Sequence, residues 1–487
     1  MDRGIFSSMR FDSSSSKIAL WIILAGTLIT FAVRYITAQN FVLIGDDSGN
    51  YIATLNFIQG NDFSGTGGNR PPLIGYYLYP FAKIFGLITG THLAAIVASV
   101  SGAGCFYLVA KRITAPVWAA LGGIAYLWLP IYAETLAWGF LSILMLNVVL
   151  LAMWGWLRYA EEPSLEKAVS ATALSSLVIY INQTAVPVLG CILAGFWLVL
   201  VLTNRKHLKY LAPAAAVGVA LSLSSLPYSL GHVGQIEQDA AEIGLAVKDW
   251  LTVVIGLCGV GLFIWTGRKI GGAEGVFIAV GGSVTAMMQA LTVPASATFI
   301  TVLGRSILWM WMFAFLVMVW ATPLLFNRVT AGLKTSHLQF FGGALAVSIF
   351  VFLSVSWSLR FFSVMPLYTT VSQDAVAAIN WLNRNTTPDE IVGAYPLSLA
   401  FHVSGIGNRP VITSYLQDGE TELNKEAVRG PVLRKQRAVS CSLGLVDNCT
   451  EYASDLGARY LITREVAEHP KAFSSGDVYI YDLGEIK

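Results

Sequence analysis

The chain has 487 residues, of which 55% are hydrophobic and only 12% are charged. Soluble domains usually carry about 25% charged residues and at most about half apolar residues, so the composition excludes a soluble protein. The net charge of +2 is uninformative, and the lack of a long basic tract predicts no nucleic-acid partner. Residues 370–487 nevertheless hold 11 of the 31 Lys and Arg and 15 of the 29 Asp and Glu. We therefore predict a membrane domain at residues 1–360 and a water-soluble C-terminal domain at residues 361–487.

About eleven stretches are long enough to cross a membrane as helices, since a span needs about 20 mostly apolar residues. They lie near 18–38, 91–110, 115–135, 138–157, 168–183, 185–202, 209–230, 250–266, 272–294, 305–325 and 340–358. The region 168–202 can be divided differently, because Asn182, Gln183 and Pro187 interrupt it. The first stretch also suits a signal peptide, but its length and Arg34 favour an uncleaved anchor.

The basic residues between the spans predict the orientation, because Lys and Arg accumulate on the cytoplasmic side of a membrane. With the N-terminus inside, the inner segments carry fourteen Lys and Arg and the outer segments carry six. An odd number of spans then puts the C-terminal domain outside. We expect a multi-pass plasma-membrane protein with a cytoplasmic N-terminus and a small extracytoplasmic α/β domain. There Cys441 and Cys449 either pair or remain two free thiols.

The first outer loop, residues 39–90, is too elaborate for a simple connection. It presents Asp46 and Asp47 at the expected outer membrane surface, and residues 51–59 suit a helix lying on the interface. Residues 71–86 are rich in Tyr and Phe, which favour the headgroup level. Such a loop suits chemistry on a lipid headgroup. Adjacent aspartates are also common as solvated or helix-capping residues, and an aromatic stretch can serve as an anchor alone.

The order and spacing of Asp46, Asp47 and Tyr51, followed by Arg70-Pro71-Pro72, resemble the GT-C superfamily of membrane glycosyltransferases. The likeness is to dolichyl-phosphate-mannose protein mannosyltransferases and bacterial aminoarabinose transferases. One residue departs from the pattern, because Asp47 stands where the family more often has Glu.

Three later segments fit the same superfamily more loosely. Residues 129–154 resemble the junction of the third and fourth spans, where Glu134 is the acidic residue on the outer side. Residues 304–316 resemble a late span that opens with an arginine, here Arg305. Residues 376–413 read as helix, turn, strand, helix, turn and strand, as in the extracytoplasmic domain of many such enzymes.

The resemblance implies transfer of a sugar from a polyprenyl-phosphate donor to a glycan, lipid or protein acceptor, with inversion. A hydroxyl acceptor needs a nearby base, and Asp46 is the candidate. The leaving phosphate needs cationic stabilisation, for which Arg305 and Arg70 are the candidates. Asp47, Tyr51 and Glu134 are candidates for supporting the acceptor or a cation. Simpler roles remain for Arg305 as a snorkelling side chain, Arg70 as a loop residue and Glu134 as a surface acid.

No dedicated metal-ligand spacing such as CxxC or HExxH is present, so we predict neither a metal nor another cofactor. Some relatives do use a divalent cation between acidic loops. Two other functions are alternatives for such a chain: a transporter or flippase, and an O-antigen polymerase or ligase. The spans have few ionisable residues away from their ends and no internal repeat, which favours interfacial chemistry over transport. O-antigen enzymes usually rely on a later outer loop.

Overall fold

The computed structural model consists mainly of helices joined by short connections. The residues that it describes are 13–39, 42–43, 48–61, 72–182, 185–223, 250–291, 297–330, 345, 348–349, 351–363, 371–395, 397–413, 453–454, 457–464, 466–467 and 469–484. The apolar part contains α1 (Ser13–Ala38), α2 (Ser48–Ile58), α3 (Leu73–Phe85), α4 (Leu87–Ala110), α5 (Pro116–Leu127), α6 (Pro130–Trp138), α7 (Phe140–Glu161), α8 (Leu165–Ile181), α9 (Val186–Thr203), α10 (Leu208–Leu223), α11 (Trp250–Ile270), α12 (Gly272–Leu291), α13 (Ala297–Thr330) and α14 (Val351–Ser363).

The apolar stretches of the sequence do form helices, and a described helix overlaps each of the eleven predicted spans. Within the described ranges, six helices are long and apolar enough to cross a membrane: α1, α4, α7, α9, α12 and α13. The pair α5 and α6 gives a seventh span if the two helices are counted as one. The polytopic helical class is therefore confirmed, whereas the number eleven stays a prediction.

Proline explains why the third predicted span is broken. Pro130 opens α6 after a two-residue gap, and α5 and α6 meet at an angle of 44°. A proline inside a helix lacks the N–H donor and clashes with the preceding turn, whereas at a helix start it is tolerated. Buried polar groups brace this region: the Tyr132 hydroxyl donates to the Ser99 carbonyl at 3.0 Å, and the Asn147 amide donates to the Ala98 carbonyl at 2.7 Å.

By internal packing the chain forms two compact units that differ from the two predicted domains in their bounds. The first unit comprises residues 1–32, 98–133 and 141–359, and the second comprises residues 33–97, 134–140 and 360–487. The second unit thus combines most of the first outer loop with the C-terminal segment. The predicted division at residue 360 stays a prediction.

The C-terminal segment forms a small α/β domain, as the sequence predicts. Its elements are α15 (Gln373–Asn385), β1 (Val392–Tyr395), α16 (Leu397–Gly405), β2 (Val411–Thr413), β3 (Tyr460–Thr463), β4 (Lys471–Ser475) and β5 (Val478–Asp482). The strand order is β2-β1-β3-β5-β4, with β1 parallel to both neighbours and β3, β5 and β4 antiparallel. Ile379, Leu382, Val392, Leu399 and Ile480 lie in its fully buried core. Cys441 and Cys449 lie outside the described residues.

Candidate active site

The two helices of the first outer loop pack on each other and on the start of the following span. A Cβ placed on Gly75 of α3 would lie 3.0 Å from the Thr54 carbonyl oxygen of α2, so the helices approach at backbone distance. The Tyr77 hydroxyl of α3 donates to the Ala94 carbonyl of α4 at 2.9 Å. A Cβ on Gly90 would lie 2.6 Å from the Ala82 nitrogen, so the backbones of α3 and α4 also approach each other closely. The loop is therefore a packed helical layer.

Tyr51 lies inside this layer, in the first turns of α2. Only 1% of its surface is exposed, and its ring meets the Phe140 ring edge-on with centroids 4.9 Å apart. The Tyr77 ring lies 6.2 Å from the same Phe140 ring. Aromatic pairs in this geometry stabilise a fold by about 0.5–1.5 kcal/mol beyond the area that they bury. Tyr51 thus anchors α2, which begins one residue after Asp47 in the sequence.

Of the aromatic residues predicted to favour the headgroup level, Tyr76 and Tyr79 share an exposed side of α3 and Phe85 is exposed at its end, whereas Tyr77 packs into the layer. Tyr76 is 63% exposed and Phe85 is 51% exposed, whereas Ile74 and Leu78 are buried against the layer. The Lys83 ammonium lies 5.6 Å from the centre of the Tyr79 ring. An apolar and aromatic face with a lysine is the composition expected of a helix at the headgroup level.

Glu134 is paired with an arginine that the sequence did not single out. Its Oε2 accepts from Nη2 of Arg360 at 2.8 Å and from Nε of Arg360 at 3.2 Å. Both side chains are partly exposed, at 35% and 46%. The contact joins α6 to α14 across 226 residues, and the only sequence signal was that both residues were predicted on the outer side. Any acceptor or cation role for Glu134 must therefore accommodate a guanidinium on its carboxylate.

The remaining candidates fall where the structure gives no side-chain position. Asp46, Asp47 and Arg70 lie outside the described residues, and so does the side chain of Arg305, whose backbone belongs to α13. Their roles stay predictions. Among the residues that are described, no three His, Cys, Asp or Glu side chains are grouped to hold a metal ion. Because the aspartate pair is not among them, the expectation of no metal also stays a prediction.

Solved structures share the fold over nearly the whole chain. ArnT from Cupriavidus metallidurans in the apo state has a TM-score of 0.56 and 16% identity, covering 97% of this chain and 99% of that chain. The same protein bound to undecaprenyl phosphate gives 0.54 and 16%, covering 96% and 98%. The archaeal oligosaccharyltransferase AglB from Archaeoglobus fulgidus, in complex with an inhibitory peptide and a dolichol-phosphate, gives 0.54 and 12%, covering 93% and 70%.

These similarities confirm the GT-C fold that the sequence resemblance predicts, and the six long apolar helices among the described residues support a membrane location for the chain. At 12–16% identity they establish the fold and leave the reaction to be tested. No family model matches the chain, and no curated protein matches it in sequence.

Proposed function

We propose that the chain is a membrane glycosyltransferase that moves a sugar from a polyprenyl-phosphate donor to an acceptor on the outer face of the membrane. The observation that carries the proposal is the shared fold, over 96% of the chain, with a protein solved with undecaprenyl phosphate bound. The packed helical layer that directly follows Asp46 and Asp47 in the sequence adds support, because its helix α3 carries exposed aromatic side chains that suit a lipid surface.

The reaction is a single displacement at the anomeric carbon of the donor sugar. The acceptor oxygen or nitrogen forms the new bond as the bond from that carbon to the phosphate oxygen breaks, which inverts the centre. The acceptor proton passes to a carboxylate, and the phosphate leaves as a monoester on its lipid. Asp46 is the proposed base, because a positioned carboxylate within hydrogen-bond reach can take the proton during attack.

The departing phosphate carries charge that must be stabilised in the transition state. Arg305 and Arg70 are the proposed partners, since a guanidinium binds two phosphate oxygens at once. Neither a general acid nor a cofactor is needed to release a phosphate that is already a stable anion. We expect Asp47 to orient Asp46 or to bind a cation, and Glu134, with Arg360 on its carboxylate, to line the acceptor side.

The test uses the full chain purified in detergent and given a radiolabelled polyprenyl-phosphate sugar, with several sugars tried in turn. We expect slow release of lipid phosphate by hydrolysis and faster release when acceptor is present. Asp46→Asn keeps the side-chain shape and removes the base, and removing a general base typically costs about 10²–10⁴-fold in rate. Asp389→Asn, at an exposed turn of the C-terminal domain, is the matched control and should leave the rate unchanged.

Two results would contradict the proposal. Full activity in Asp46→Asn at normal folded yield would remove Asp46 as the base. Movement of intact lipid-linked sugar or of a soluble solute across vesicles, without cleavage of any donor, would instead support a flippase or transporter. Protease protection in sealed vesicles would check the proposed orientation. A protease added on one side should cleave either the basic N-terminal segment or the C-terminal domain, but not both.

A further inference from the structure

Three contacts join helix α2 of the first outer loop to the C-terminal domain. Two are hydrogen bonds, and the third is a close approach of two backbones. The Asn56 amide donates to the Gly405 carbonyl at 2.9 Å, although the two residues are 349 positions apart. The Asn408 amide donates to the Asn61 carbonyl just beyond the end of α2. Asn56 is 8% exposed, so its bond to Gly405 is shielded from water.

The third contact is between two glycines. A Cβ placed on Gly405, the last residue of α16, would lie 2.9 Å from the Gly49 Cα and closer still to the Gly49 carbonyl oxygen. Real Cβ atoms are essentially never closer than 3.0 Å to such atoms, so the Gly49 backbone leaves no room for a side chain at position 405. Gly49 lies in the first turn of α2 and Asn56 in its last turn, so both ends of the helix are fixed.

The two hydrogen bonds follow from the way in which α16 ends. The last four carbonyls of a helix have no partner within it, and Asn56 supplies a donor to one of them at the end of α16. The turn after α16 contains Asn408, whose φ of 51° lies in the left-handed region that asparagine tolerates better than most residues. That conformation belongs to the residue whose amide reaches the Asn61 carbonyl.

We propose that the C-terminal domain positions α2 for catalysis, with Asn56 and Gly405 as positioning residues. The inference rests on the proposed function, in which Asp46 is the base and the chain passes from it into α2 within two residues. A rigid support matters because a reacting group must be held within about 0.5 Å of its productive geometry. The domain thereby affects the rate of transfer through its contacts with α2.

The experiment separates positioning from binding. Gly405→Ala forces α16 and α2 apart, and Asn56→Ala removes one bond while leaving space. Because a displacement of about 1 Å can cost roughly 10²-fold in rate, we expect kcat to fall about 10–100-fold in Gly405→Ala and less in Asn56→Ala. The KM for the donor should stay within about twofold, and hydrogen exchange of the α2 amides should become faster in both variants.

Two matched variants control for damage to the domain. A Cβ on Gly393 of β1 would lie 2.8 Å from the Ala453 Cβ and 3.0 Å from Cδ1 of Leu461, so Gly393→Ala strains the sheet of the domain instead of the turn that contacts α2. Asn385→Ala removes a hydrogen bond within the domain, in which the Asn385 side-chain amide donates to the Trp381 carbonyl at 2.8 Å. Both controls should keep the wild-type kcat.

Each outcome is decisive. An active wild type with an unchanged kcat in Gly405→Ala and Asn56→Ala overturns the positioning role and leaves the proposed function standing. An equal fall of kcat in Gly393→Ala overturns it too, because general loss of the domain would then explain the effect. A wild type that leaves every lipid-linked sugar intact overturns the proposed function itself.

Discussion

Arg409 provides the sharpest test of how the C-terminal domain is held together. Its guanidinium is buried, and its Nη2 donates to the carbonyls of Leu382 and Thr386 at 3.0 Å each. Nε donates to Oδ1 of Asn383 at 3.0 Å, and Nη1 donates to the Thr387 carbonyl. These acceptors lie in the last turn of α15 and in the two residues after it, so one side chain binds the end of the helix and the turn that follows.

The substitution Arg409→Met keeps an extended apolar side chain and removes all four bonds. A hydrogen bond to a charged group contributes about 1.5–3 kcal/mol, and the two bonds to Leu382 and Thr386 would be hard for water to replace, which gives roughly 3–6 kcal/mol. Burial lowers the pKa of Arg409, which shows that burying the charge has a cost, and its removal offsets part of the loss. We expect a net destabilisation of about 3 kcal/mol, or about two orders of magnitude in local opening.

Hydrogen exchange on the full chain in detergent measures this local opening at the amides around Arg409. The amides of α15 and β1 should exchange about 100-fold faster in Arg409→Met, while those of α7 in the other compact unit keep their rates. Arg409→Lys should lie between, because an ammonium cannot reach all four acceptors in the planar fork of a guanidinium. Arg384→Met, on the exposed side of the same helix, is the control. Protection in Arg409→Met within about 0.5 kcal/mol of wild type would refute the reasoning.

Two further predictions concern the first loop and its neighbours. Gly75→Val places a branched side chain 3.0 Å from the Thr54 carbonyl oxygen, so we expect about 1–3 kcal/mol of destabilisation and a lower melting temperature in detergent. The same change at Gly104, where a Cβ meets nothing within 4 Å, is the control, and equal effects would contradict the close packing of α2 and α3. A double-mutant cycle with Glu134→Gln and Arg360→Gln should give a coupling below about 1 kcal/mol in stability, because the pair is partly exposed. A larger fall in transfer rate than in stability would place the pair at the acceptor side, and unchanged transfer in both single variants would exclude it from the reaction.

Composition and the length of apolar stretches were enough to predict the helices of the membrane part. A helix in lipid must satisfy its own backbone hydrogen bonds, so each long apolar stretch specifies a helix locally. Pro130 interrupts its stretch for an equally local reason. The sequence also predicts an aromatic set at the headgroup level, and Tyr76, Tyr79 and Phe85 of α3 are exposed as that chemistry requires.

The sequence did not predict which side chains the candidate residues would contact. Glu134 was recognised as an acid near the outer surface, but Arg360, 226 residues later, gave no local sign of being its partner. The sequence places Arg409 in a predicted turn, but only the structure shows that its side chain binds the end of α15. The candidates Asp46, Asp47, Arg70 and Arg305 came from a motif, and their roles await the variants described above.

The sequence by itself determined that this chain is a polytopic helical membrane protein with a small α/β domain at its C-terminal end, because both properties follow from runs of neighbouring residues. Only the tertiary structure decided that Asn56 meets Gly405 and that the first loop packs in one unit with the C-terminal domain. Such contacts depend on which surfaces fit together after the chain has folded. Glycines that meet across 356 positions leave no pattern in the residues beside them.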